Sequence, residues 1–89
     1  MLFRSSAAER REQLRPLKQR VAALERQMEK LQRELRTLEE RLTDPSIYEA
    51  TRSAELQQLL RTQGALRQQL GESEEAWLVA SEELERAEG

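Results

Sequence analysis

The sequence predicts an all-α fold: a two-helix antiparallel coiled-coil hairpin with a short N-terminal linker helix. Three observations predict it. Leu14, Leu17, Val21, Leu24, Met28, Leu31, Leu35, Leu38 and Leu42 alternate steps of three and four, which is a coiled-coil seam. A looser series, Leu56, Leu59, Gln63, Leu66, Leu70, Ser73, Trp77, Ala80 and Leu84, keeps the same spacing. Between them, "LTDPSIY" sets a proline and the only tyrosine of the chain among helix-favouring residues.

Composition agrees with a rod rather than a globule. Hydrophobic residues make up 37% and charged residues 36%, with aromatics only 3%, so few bulky side chains exist to fill a centre. With 89 residues the chain forms one small domain. Cysteine and histidine are both absent, which excludes disulfides, thiolate chemistry and the usual zinc spacings. No run is long and apolar enough for a membrane span, and "MLFRSSAAERR" lacks the apolar centre of a signal peptide, so the expected location is the cytoplasm, without membrane contact.

Along the chain, residues 1–15 read as a partly helical connector, with Met1 to Arg4 carrying no fold signal. "SAAE" at 6–9 has the form of a capping box, and Pro16 predicts a break or kink near Arg15. Residues 16–43 form the first coiled-coil helix, whose apolar stripe cannot be buried without a partner. Residues 44–50 form the corner: Asp44 suits a cap, and Pro45 suits a first helical position while preventing continuation of the preceding helix. Residues 51–87 form the second helix and 88–89 a tail.

A fold-back at residue 47 predicts that facing positions sum to about 94, because antiparallel seams oppose a and d positions. Leu38 would then face Leu56, Leu35 face Leu59, Leu31 face Gln63, and Leu17 face Trp77. The same register sets Glu25 by Arg67, Lys18 by Glu74 and Arg41 by Glu55. Charge is divided between the halves: residues 1–43 carry eleven Lys/Arg against seven Asp/Glu, and residues 44–89 carry four against ten, so the halves attract. The short corner gives the second helix a high local concentration, which predicts a monomer.

Catalysis has no constellation to rest on. No glycine-rich phosphate loop is present and no nucleophile stands beside a base, so the chain itself is expected to be neither an enzyme nor a cofactor or metal binder. Basic residues give the stronger functional signal. Arg26, Lys30 and Arg33 follow i, i+4, i+7 spacing on the outer face of the first helix, with Arg15 and Arg36 on adjoining outer positions, an arrangement suited to nucleic-acid phosphates. The competing reading is a solvated face laced by Glu29 with Arg33, Lys30 with Glu34 and Arg36 with Glu40. Ile47 and Tyr48 are candidate tip contacts for a base or a protein, or else an apolar plug. Trp77 reads as seam, while Gln63 and Ser73 read as register-fixing polar positions. Gly64 and Gly71, seven apart on the second helix, imply either flexing or a close approach to its backbone.

"PLKQRVAALERQMEKL", the "LTDPSIY" corner and "EEAWL" resemble the C-terminal coiled-coil domain of bacterial ABC-F proteins, most closely the Uup and YheS branch, over about residues 9–87. The resemblance implies a hairpin that follows the second ATP-binding cassette and contacts ribosomal RNA or DNA, within an ATPase acting in translation or in DNA-related processes. ATP and Mg²⁺ would be bound by that parent's cassettes. Tails of the Uup branch tend to be more basic than this one, whose pI is about 5.3, which shifts the expectation from DNA towards the ribosome. Two other classes compete: a structural spacer or protein-interaction hairpin, and the tRNA-contacting arm of an aminoacyl-tRNA synthetase, especially the valyl enzyme. The "DPSIY" corner and "AWL" argue against that arm.

Overall fold

A computed structural model describes residues 2–89, with side chains described from Ala7 onward. Helix α1 runs from Leu2 to Leu42 and helix α2 from Ser53 to Glu88, joined by two short 3-10 turns, Pro45–Tyr48 and Ala50–Arg52. The two helices pack side by side in a rod of 74 × 15 × 15 Å. The antiparallel hairpin expected from the two seams is therefore the observed architecture.

α1 is continuous through Pro16. The break expected near Arg15 is absent, and residues 2–15 extend the rod. A proline removes only one backbone bond and crowds one carbonyl, at a cost of about 3 kcal/mol. Helix already propagated on both sides tolerates such a local defect, since extending a helix is far easier than starting one. α1 also begins before the "SAAE" segment, so that box does not start it; the side chain of Ser6 lies outside the described residues.

Burial of large side chains is concentrated beside the corner, where Leu38, Ile47 and Leu59 form the centre of a cluster against which Leu42, Leu56 and Leu66 pack. Leu31 and Leu35 continue it along α1. Farther from the corner the buried residues of α2 are small, Ser73 and Ala80, while Leu17, Val21, Leu24 and Met28 are only partly buried. Small residues let the helices approach, and a two-helix seam leaves its flanks to water.

The register differs from the expected one by about a heptad. Trp77 Nε1 donates to Glu25 at 3.3 Å and Gln63 Nε2 to Glu39 at 3.5 Å; in both pairs the residue numbers sum to 102. Trp77 accordingly lies in a recess with Glu25, Met28, Glu29 and Gln32, not beside Leu17. Of the three expected charge pairs, only Arg41 with Glu55 forms. Arg67 instead meets Glu39 at 3.1 Å, and Lys18 meets Glu88 at 4.0 Å. A shift of one heptad preserves every a-to-d match, so the spacing alone admits both registers. The corner selects between them: Ile47 occupies the seam next to Leu38, and α2 starts later than a tight turn at residue 47 would allow.

Candidate nucleic-acid interface and the hairpin tip

The corner reverses the chain without a single positive φ among the described residues, which is why it contains no glycine. Its fold is written in short hydrogen bonds. The Tyr48 hydroxyl donates to the Leu42 carbonyl at 2.7 Å, satisfying an open carbonyl at the end of α1, and the Thr43 hydroxyl donates at 2.6 Å to the Glu40 carbonyl, which also accepts the Thr43 N–H at 3.1 Å. Asp44 accepts from the Ser46 N–H at 3.0 Å with Pro45 at the next position. That start belongs to the first 3-10 turn; α2 proper begins at Ser53.

Arg52 joins the pieces. Its guanidinium donates to both carboxylate oxygens of Glu55, at 3.0 and 3.1 Å, and to the Ser46 hydroxyl at 2.7 Å, while Arg41 reaches the same Glu55 from α1. These contacts hold the carboxyl of Glu55 below its ordinary range, chiefly through the Arg52 hydrogen bonds, and raise Arg52 further. The carboxyl of Asp44 is lowered too, first by the Ser46 N–H and then by the Ser46 hydroxyl. Sequence reading anticipated Arg41 with Glu55 but missed Arg52, whose signal was its place three residues before Glu55, where a helix brings the two together.

The candidate tip residues take different fates. Ile47 is 2% exposed and belongs to the core, so it is the plug of the hairpin and is unavailable as a contact. Tyr48 is 60% exposed, its ring held by the hydroxyl bond to Leu42. Around it the two arginines, Arg41 and Arg52, are committed to Glu55, and Asp44 and Glu49 add negative charge. The tip thus presents an aromatic ring without free cations.

On α1 the basic candidates are all exposed. Arg26 and Arg36, the ends of the run with Lys30 and Arg33, stand ten residues apart, about 15 Å along the axis. Among the described residues none of the four has a carboxylate within 4.0 Å. The lacing expected of a solvated face, from Glu29, Glu34 and Glu40, is not made. Arg15 stands apart, paired with Glu12 at 2.9 Å and about 16 Å down the helix from Arg26.

No group of three or more His, Cys, Asp or Glu among the described residues is arranged to hold a metal ion, and no helix is long and apolar enough to cross a membrane. Fold and surface together define a helical arm. The chain belongs to the ABC transporter C-terminal domain family, whose family model matches residues 12–85, both helices and the corner between them. It is therefore an accessory domain of an ABC protein, which sets aside the synthetase arm. No curated protein and no solved structure matches it.

Proposed function

We propose that this hairpin is the nucleic-acid-contacting arm of an ABC-F ATPase of the Uup and YheS kind, acting on the ribosome in the cytoplasm, with the outer face of α1 laid against ribosomal RNA. The observation that carries the proposal is the run Arg26, Lys30, Arg33 and Arg36, four exposed cations on one side of α1, none within 4.0 Å of a carboxylate among the described residues. Cations already paired gain little from a phosphate, whereas free ones release counterions on binding. The flank is favoured over the tip because both tip arginines are committed to Glu55. ATP and Mg²⁺ are bound by the parent's cassettes, and the hairpin positions the parent by phosphate contacts that carry no sequence information.

Salt dependence tests the proposal. Affinity of the hairpin for a ribosomal RNA fragment should fall linearly in log–log form with salt, each contact contributing about 0.7 to the slope for single strands and 0.9 for duplex B-DNA. The triple variant Arg26→Glu, Lys30→Glu, Arg33→Glu should bind far more weakly and lose roughly 2 from the slope. Unchanged binding by that variant leaves the spacer reading in place. A duplex DNA competitor displacing the RNA at equal concentration points instead to DNA as the target.

A further inference from the structure

The charge of α2 changes character at Gly71. Residues 56–71 hold no aspartate or glutamate, the longest such stretch of the chain, and carry two arginines and five glutamines; residues 72–85 hold six glutamates and no lysine or arginine. Of the three arginines of α2, Arg67 is bound to Glu39 at 3.1 Å, and Arg86 has Glu82, Glu83, Glu85 and Glu88 within four residues. Arg61 differs from both. It is exposed and has no carboxylate within 4.0 Å among the described residues.

Leu56, Leu59, Gln63 and Leu66 lie about 140–160° around the helix from Arg61, so this arginine stands opposite the seam. Ala54, Gln57, Gln58, Gly64, Ala65 and Gln68 share its face within about 60°, and all are exposed. The face closes at Glu72, to which Gln68 Nε2 donates at 3.4 Å. No side chain on it competes with a phosphate for the guanidinium, and the glutamine amides can donate to phosphate or sugar oxygens. Arg26 and Arg33 point away from the seam on α1 in the same manner, so the two faces look in opposite directions across a rod 15 Å thick. Facing numbers sum to 102 at Gln63 and Glu39, which sets Arg61 level with residue 41, about 7 Å beyond Arg36 towards the corner. We infer that the face around Arg61 is a second phosphate-contacting face, and that the corner half of the hairpin bridges two nucleic-acid segments, one on each helix. With one free cation against four, the α2 face is the weaker, and the glutamates beyond Gly71 confine it to the corner half.

The inference rests on the phosphate contact proposed for α1. Its test is a titration of the isotope-labelled hairpin with a short RNA duplex at low salt. Amides of residues 26–36 should shift first, and those of 57–68 should follow at RNA concentrations at least tenfold higher, while those of 72–85 stay in place. At excess duplex, sedimentation should show two duplexes on one hairpin. Arg61→Gln should remove the second set of shifts and the second duplex, leave the first affinity within twofold and leave the thermal melt unchanged, whereas Arg61→Lys should keep both. Shifts confined to 26–36 with a single duplex bound, or a second duplex that survives Arg61→Gln, would overturn the inference and leave the α1 contact standing. No shift on either face would overturn the α1 contact itself, and the bridge with it.

Discussion

Ile47 and Tyr48 are neighbours in sequence and opposites in environment, and the corner depends on that difference. Ile47→Ala removes buried volume between Leu38 and Leu59 and should destabilise the hairpin by about 2–5 kcal/mol in chemical denaturation, a large fraction of what a chain this size has. Tyr48→Phe keeps the exposed ring and loses only the bond to the Leu42 carbonyl, so its effect on stability should be small. Acid acts on the same corner. Asp44 and Glu55 have carboxyls lowered in the folded state, so their contribution is fully present above the ordinary values of 3.8 and 4.5 and is lost as pH falls below them. Thermal melts followed by circular dichroism should therefore shift downward from about pH 4.5, and Asp44→Asn combined with Glu55→Gln should flatten that dependence while weakening the fold at neutral pH.

At the scale of the element, the two long helices differ in how much they sacrifice. α1 tolerates Pro16, and α2 tolerates two glycines with open space around them. Gly64→Ala and Gly71→Ala should each raise stability by about 0.5–1 kcal/mol, because alanine fits without contact and restricts the unfolded chain. A loss of stability in either variant would mean that the glycine serves the hairpin itself. The elements were legible in the sequence because heptad spacing is dense in leucine along residues 14–42, and because Asp44 and Pro45 mark a stop. What was not legible is equally physical. One proline does not outweigh two flanking stretches of good helix formers. The corner is a pair of 3-10 turns knit by Arg52, and one side chain serving both Ser46 and Glu55 leaves no periodic trace. The basic stripe was readable as a face, but its freedom from glutamate partners depends on how side chains settle, which spacing does not determine.

For the whole molecule the governing variable is register, since sliding one helix by a heptad keeps leucine opposite leucine yet changes every neighbour. Two features hold the observed alignment: Ile47 inserted beside Leu38 and Leu59, and Trp77 bonded to Glu25. Since the chain has no cysteine, paired cysteines can be introduced without background. With facing numbers summing to about 101 or 102, as the Trp77 and Gln63 contacts require, Val21→Cys with Ala80→Cys should oxidise readily to an intramolecular disulfide. Leu17→Cys with Trp77→Cys, matched to the register one heptad away, should stay reduced under the same conditions. The reverse outcome would move Trp77 away from Glu25 and slide α2 along α1, altering which residues of α2 stand beside the basic run. A monomer is required for the comparison, and sedimentation at low micromolar concentration should show one, because the short corner supplies each helix with its partner at far higher local concentration than any second chain.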